Sequence, residues 1–362
     1  MKRQTVLLLG PDRSVISGVA THLNLLFGSA LARRFEIEHF QVGSEGRTEG
    51  ALGLGLRLLT SPFRLAAAIV RSGASIVHVN PSLSPKAFWR DLPHVIAAKL
   101  CGARVVYQIH GGSLSSLVRP VVRAALSLPD VVVVLARCER DELRELLPQQ
   151  NVVLVPNAID CEPFLQPRAR TEGPLKLFHI GRLVNTKGAF ETVHALALAR
   201  SRGVDATLVI AGDGPDMPRL RQTVDELGLA AHVTFAGPAF GERKTQLTCE
   251  ADVLLLPTYH SEGLPYALLE GMAAGLVPIV TRVAAIPDVV TEGIHGRFVP
   301  PRDPEAIAQA IVALASDRAA LARMSARCRE HARSAYSIER LADDFTALYA
   351  SLGGAATART VS

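Results

Sequence analysis

The chain has little cysteine: five residues in 362 (Cys101, Cys138, Cys161, Cys249 and Cys328), none close to another. No CxxC and no Cys/His ligand spacing occurs, so neither a zinc site nor a disulfide framework is expected. The odd count fits a reducing compartment. No Asn-x-Ser/Thr sequon with x other than proline is present, which agrees. A Gly-x-Gly-x-x-Gly after the first apolar run is missing, and this argues against an NAD(P) oxidoreductase; a Gly-x4-Gly-Lys-Ser/Thr P-loop is missing too. Excess charge is also slight. The formal balance is +5, too small to argue for nucleic acid by itself. With 48% hydrophobic and 20% charged residues, the chain is not disordered and has material for real cores.

The mean hydropathy, +0.23, raises the question of a membrane. A spanning helix needs about 20 apolar residues almost free of charge. The nearest candidate, 51–70, carries Arg57, Arg64 and the pair Ser61-Pro62, and is rejected as a span. The start imitates a signal peptide, but its apolar run 6–9 stops at Gly10-Pro11-Asp12 and reads better as a first strand.

Short β-branched runs alternate with longer helical stretches from end to end. Strands are expected at 6–9, 76–79, 105–109, 131–135, 175–180, 207–211, 233–236, 253–256 and 277–280. Helices are expected at 18–34, 85–100, 304–315, 318–334 and 338–352, with a frayed end after Gly353. Continuous apolar strands interleaved with helices imply α/β architecture, with doubly wound parallel sheets covered on both faces. The Pro- and Gly-rich stretch 155–174 reads as an interdomain linker. Two domains follow, 1–165 and 166–335, with 336–362 as a terminal helix and tail. Ligands of such sheets sit at the carboxyl ends of the strands, so the expected site is a cleft between the two. Residues 1–165 hold 18 Lys+Arg against 13 Asp+Glu, whereas 166–362 hold 21 of each. The whole excess therefore lies in the first domain.

Two constellations carry chemistry. Gly181-Arg182-Leu183-Val184-Asn185-Thr186-Lys187-Gly188 follows an apolar run and opens a helix, where free amides and the helix dipole favour an anion. Arg182 and Lys187 add two cations, which suits a diphosphate; a solvated basic turn is the plainer reading. Farther on, Ser261-Glu262-Gly263-Leu264-Pro265-Tyr266-Ala267-Leu268-Leu269-Glu270 places two carboxylates eight residues apart. Gly263 and Pro265 put Glu262 in a loop and Glu270 inside a helix. Glu270 lies among Leu268, Leu269 and Met272, so it needs a partner, for which vicinal ribose hydroxyls are suited. A capping loop with a surface Glu is the plainer reading here.

Glu-x7-Glu after a buried strand, preceded by Gly-Arg-Leu-x3-Lys-Gly and by Ala211-Gly212-Asp213-Gly214-Pro215, resembles the GT-B retaining glycosyltransferases of family 4 (glycosyl transferases group 1). Val155-Pro156-Asn157-Ala158-Ile159-Asp160 is similar to the family's linker segment, with Ala158 in place of Gly. Glu292-Gly293, Gly296, Val299-Pro300-Pro301 and Asp303-Pro304-Glu305-Ala306 resemble the run and helix that follow. In the first domain Ser17-Gly18-Val19-Ala20-Thr21-His22 and Tyr107-Gln108-Ile109-His110-Gly111 resemble family loop and strand-end motifs. The resemblance spans nearly the whole chain and is densest in the second domain.

The resemblance implies two Rossmann-like domains, the first binding acceptor and the second nucleotide sugar, with C-terminal helices crossing back. Arg182 and Lys187 would bind the donor diphosphate and stabilise the departing charge without a metal or other cofactor. Glu262 would contact the donor sugar, Glu270 the ribose, and the amides of Gly263 and Leu264 sugar and phosphate. Gly18 would let its loop approach the phosphates, His110 would lie near the transferred sugar, and Val233 and Phe235 would flank the base. The implied reaction moves a hexosyl group, with retention, from a UDP- or GDP-sugar to a hydroxyl of a glycan or lipid-linked acceptor, as in bacterial polysaccharide or glycolipid synthesis. Two other classes are left open: a sugar-nucleotide epimerase or phosphorylase of the same architecture, and a non-catalytic nucleotide-sugar-binding or scaffold protein, against which intact Arg182, Lys187, Glu262 and Glu270 argue. Ser17 stands where the family has its first loop glycine, and Arg282-Val283-Ala284-Ala285 where it has Gly-Gly, so that second turn is expected to differ in shape.

Arg57, Arg64 and Arg71 recur every seven residues on one expected helical face. The ordinary reading is a solvated domain helix, and the sharper one a basic surface for anionic lipid. Ser61-Pro62 is expected to break that helix in its middle. Location in the cytoplasm, at the inner membrane face if lipid is met, completes the expectations.

Overall fold

The computed structural model describes residues 3–46, 48, 50–81, 85–112, 120–165, 173–259 and 263–353. The chain divides into two compact units, Met1–Ala158 with Ile338–Ser362, and Ile159–Ser337. The division falls ahead of the expected 165/166. Ile159 already bridges Ser337 and its amide donates to the carbonyl of Tyr336 at 2.9 Å, which ties it to the second unit.

The first unit runs β1 (Thr5–Gly10), α1 (Gly18–Gly28), α2 (Leu31–Arg34), β2 (Glu36–Gln41), α3 (Ala51–Ser72), β3 (Ile76–Val79), α4 (Pro85–Leu100), β4 (Arg104–Gln108), α5 (Pro120–Leu126), β5 (Val131–Val134), α6 (Arg137–Leu146) and β6 (Val152–Leu154). The second runs β7 (Leu175–Ile180), α7 (Ala189–Ser201), β8 (Ala206–Ala211), α8 (Met217–Glu226), β9 (Val233–Gly237), α9 (Gly241–Glu250), β10 (Val253–Leu256), α10 (Tyr266–Ala273), β11 (Val277–Val280), α11 (Ile286–Val289), β12 (Arg297–Phe298), α12 (Pro304–Ser316) and α13 (Arg318–Ala335). Helix α14 (Ile338–Gly353) returns to the first unit.

Each unit is built on a six-stranded parallel sheet, ordered β2-β1-β3-β4-β5-β6 and β12-β11-β10-β7-β8-β9. Both are Rossmann-like. The order reverses at β1/β3 in the first and at β7/β10 in the second, and ligands of such sheets bind beyond the strand ends there. Side chains alternate across the first sheet. Leu7, Leu9, Val77 and Val79 join Leu65 and Ile69 of α3 on one face. Val6, Leu8 and Ile76 join Leu23 of α1 and Phe345 and Tyr349 of α14 on the other. A strand covered on both faces must be apolar throughout, which explains the uninterrupted runs.

Three strands escape the apolar-run criterion. Strand β2 (Glu36-Ile37-Glu38-His39-Phe40-Gln41) is a polar, half-exposed edge; β12 is likewise an edge, and β6 is only three residues long. The helix expected over 18–34 is two helices, because Ser29 interrupts it: its hydroxyl donates to Leu26 O at 2.9 Å and accepts from Leu31 N at 3.2 Å. The expected break at Ser61-Pro62 does not occur, and α3 runs unbroken through Pro62. An interior proline costs about 3 kcal/mol, and burial of Leu65, Ala68 and Ile69 offsets it. The Ser61 hydroxyl meets His94 Nε2 of α4 at 2.9 Å, fixing the two helices together at that point.

Candidate functional site

In the second unit the turn between β7 and α7 is held from two sides. Toward β8, Gly181 N donates to Ala211 O at 3.0 Å, Leu183 N to Asp213 O at 2.8 Å, and Asp216 N to Leu183 O at 3.2 Å. A Cβ on Gly212 or Gly214 would collide with the carbonyls of Gly181 or Leu183, so these glycines serve close backbone packing. Asp213 caps its own turn, accepting from Gly214 N at 2.7 Å. Toward β10, Thr186 O accepts from Tyr259 N at 3.0 Å and from Thr258 Oγ1 at 3.1 Å. Gly188 adopts φ 81° at the head of α7, where a Cβ would lie 2.6 Å from Pro257 O. The turn is therefore anchored across the β7/β10 switch point, with Arg182 exposed and Lys187 half-exposed on it. Among the described residues the Arg182 side chain makes no ion pair or hydrogen bond, its carbonyl accepting from Val184 N at 2.9 Å, so its guanidinium is available to an anion. Below the turn, His179 is fully buried and bonds Leu255 O through Nδ1 at 3.0 Å. Burial, with the Lys187 ammonium adding to it, lowers its pKa to about 4 and keeps it neutral.

Glu270 lies inside α10, as its sequence setting requires, and is 8% exposed. The partner its burial demands comes from within the chain: Lys244 Nζ of α9 donates to Oε1 at 2.6 Å. Burial raises the carboxyl pKa and Lys244 opposes the rise. Oε2 makes no hydrogen bond among the described residues and remains as an acceptor. Nothing in the sequence marks Lys244, one of several charges on the polar helix α9. Tyr266 opens α10 with its hydroxyl buried and unpartnered; burial, with Glu270 adding to it, pushes its pKa up. Leu264 is buried, and Glu262 lies outside the described residues. Val233 and Phe235 of β9 are used by the core, Val233 beside Leu220 and Val224 and Phe235 packed against that cluster, with the Arg221 guanidinium 4.5 Å from the Phe235 ring.

In the first unit Gly18 is the exposed first residue of α1. Ser17 earns its place as the cap of that helix, its side chain accepting from Ala20 N at 3.2 Å. His110 follows β4, half-buried. Its Nε2 lies 3.0 Å from Asn80 Oδ1. Asn80 Nδ2 in turn donates to Leu9 O at 3.1 Å and His78 O at 3.2 Å, which fixes the amide with its oxygen toward the ring. His110 thus donates through Nε2 and presents Nδ1 as the lone-pair side. Behind it, His22 stands edge-on at 4.7 Å and both its nitrogens are buried without partners. His78 Nδ1 meets Tyr349 Oη at 2.7 Å. Burial lowers His22 to about 4 and, with His22 nearby, His78 to about 3; His110 is depressed well below its ordinary value by burial and by both neighbours. Gln108 lies close enough to oppose the first two shifts, but neither end of its amide makes a well-formed hydrogen bond. His22, His78 and Gln108 were not separable from packing in the sequence.

Among the described residues no group of three or more His, Cys, Asp or Glu is placed to hold a metal ion. None of the five cysteines is joined in a disulfide.

Comparison with known proteins gives the chain's family and fold. Residues 174–317 match the family model Glycosyl transferases group 1, and residues 18–163 match Glycosyltransferase Family 4. A GDP-mannose-dependent alpha-(1-6)-phosphatidylinositol monomannoside mannosyltransferase of Mycobacterium tuberculosis is 30% identical over 267 residues, 68% of this chain and 69% of that protein. The sucrose-phosphate synthase structure from Thermosynechococcus elongatus superposes with TM-score 0.80 at 19% identity, covering 98% of this chain and all of that one. Anabaena Alr3699/HepE in complex with UDP gives TM-score 0.75 at 16% identity, covering 97% of this chain and all of that one.

Proposed function

Since the chain belongs to the group 1, family 4 glycosyltransferases, with the GT-B fold, we propose that it moves a hexosyl group from a nucleotide diphosphate sugar to a hydroxyl of a glycan or lipid-linked acceptor, with retention and without a metal. The observation that carries this reading is the anchored β7–α7 turn, which presents Arg182 and Lys187 beside the loop leading to Glu270. Two cations carried on a turn whose backbone is already anchored need less reorganisation as charge develops on the leaving diphosphate, which favours electrostatic stabilisation. In this reading Oε2 of Glu270 takes a ribose hydroxyl, Glu262 the donor sugar's hydroxyls, and the amides of Gly263 and Leu264 its phosphate and sugar oxygens. Gly18 approaches the phosphates without a side chain, and His110 faces the transferred sugar as a neutral ring. Val233 and Phe235 would flank the base through their backbone, since the core holds their side chains.

Departure of the phosphate leaves an oxocarbenium-like sugar. The acceptor hydroxyl adds on the face just vacated, and its proton passes to the leaving phosphate oxygen, so retention needs no carboxylate nucleophile. The relative's dependence on GDP-mannose and HepE's complex with UDP support a nucleotide-sugar donor and leave the base to be measured. The relative's phosphatidylinositol monomannoside acceptor supports glycolipid synthesis, and five cysteines without a disulfide support a cytoplasmic setting.

A thermal-shift series with UDP, GDP and ADP identifies the base, because a ligand of the native state alone raises its stability by mass action. With the cognate donor, Lys187→Ala is expected to lower turnover by about 10²-fold or more while its melting curve stays cooperative; wild-type rates in that variant refute the assignment. Activity is expected to persist in EDTA, with the product's anomeric proton reporting the donor's own configuration.

A further inference from the structure

Helix α3 buries one face and leaves the opposite one bare. At about 100° per residue, Leu65, Ala68 and Ile69 share the face that packs on the sheet. Leu52, Leu56, Leu59, Phe63 and Val70 fall within about 60° of arc on the other side. They are 92%, 65%, 73%, 77% and 76% exposed. The stripe runs over 19 residues, about 27 Å at 1.5 Å per residue, and Ala66 and Ala67 widen it without adding a polar group. Five large apolar side chains in one exposed row are far outside the scatter of single surface hydrophobes. Along one edge stand Arg57, Arg64 and Arg71, and no Asp or Glu occurs from residue 50 to 75.

We propose that α3 is a docking surface for an anionic lipid bilayer, lying flat with its leucine and phenylalanine stripe among the acyl chains and its arginines at the headgroups. The occupant follows from charge and shape. The surface offers cations of one sign along one edge only, with a straight apolar ridge, which suits a sheet of negative headgroups over hydrocarbon. The stretch Leu52–Ser72 has the length and composition to cross a membrane, with 22% of it buried. Crossing would strip Leu65 and Ile69 from the core of the first unit, so the helix lies on the surface. This goes beyond the reaction proposed above and does not depend on it.

The test is flotation of the full chain with phosphatidylcholine vesicles, with and without phosphatidylglycerol, at low and high salt. Wild type is expected to float with the anionic vesicles at low salt and to lose most of that binding in high salt or with neutral vesicles. Leu59→Glu/Phe63→Glu and Arg64→Glu/Arg71→Glu are each expected to reduce it by about tenfold or more. These sites are exposed, so melting temperatures stay at the wild-type value and a folding defect is recognised if they do not; a milder pair, Leu59→Gln/Phe63→Gln, then replaces the first. Absence of binding at low salt, equal binding to neutral vesicles, or undiminished binding by the variants overturns the proposal. So does a wild-type dimer that ignores vesicles and dissociates in Leu59→Glu/Phe63→Glu, which would make a second copy the occupant.

Discussion

Ala284 carries φ 47°, one of two non-glycine residues at positive φ among those described; the other is Arg302 at 58°. It stands in the turn 282–285, and its backbone there adopts a conformation that a side chain disfavours. The left-handed region costs an L-residue about 1–2 kcal/mol, and the greater unfolded-state freedom of glycine takes back part of that gain. Ala284→Gly is therefore expected to raise stability by about 0.5–1 kcal/mol, read as a higher urea midpoint at unchanged slope; a lower midpoint would mean that the methyl group packs usefully. Arg302 shows another solution, its guanidinium stacked 4.4 Å from the centre of the Tyr259 ring. The departure at Ala284 was legible in the sequence as a local misfit. The Lys244–Glu270 pair was not, because 26 residues separate its members and no periodicity joins them.

Between elements, that pair links α9 to α10 and sets the state of the carboxylate. Removing the ammonium leaves a buried carboxyl uncompensated, which raises its pKa further. Lys244→Met is expected to weaken nucleotide binding about tenfold at neutral pH, with affinity becoming more pH-dependent as Glu270 titrates, whereas Lys244→Arg retains most of it. Calorimetric titration of the cognate nucleoside diphosphate against pH checks this; unchanged affinity in Lys244→Met would show that Glu270 does not contact the ligand. The same scale explains which elements the sequence announced. Strands β3, β7, β10 and β11 fall at the expected residues because both faces of each are covered, and β2 was hidden because an edge strand needs no such run. Proline at 62 signalled a break that the packed face of α3 overrides.

For the molecule as a whole, three histidines that are fully buried and neutral among the described residues contribute to the response to acid: His22 and His78 in the first unit and His179 in the second. Folding lowers each pKa from the ordinary 6.5, to about 4 for His22 and His179 and about 3 for His78. Below pH 6.5 the unfolded chain takes up protons that these rings refuse when folded. Stability is thus full above about pH 6.5 and falls as pH drops toward 4, by about 1.4 kcal/mol per ring at one unit below. Urea unfolding at pH 7 and 5.5 is expected to show a loss of about 3 kcal/mol in the first unit from His22 and His78, with the depressed His110 adding to it, and a smaller loss in His22→Leu; equal stability at both values would mean that the rings are hydrated. The sequence alone determined two doubly wound α/β units, their buried apolar strands and the cationic turn, because those depend on local apolar periodicity and on glycines needed where backbones touch. It could not decide the partner of Glu270, the amide that orients His110, or the bare apolar face of α3. Each of these depends on which side chains the tertiary fold brings together or leaves uncovered, and chain spacing holds no record of that.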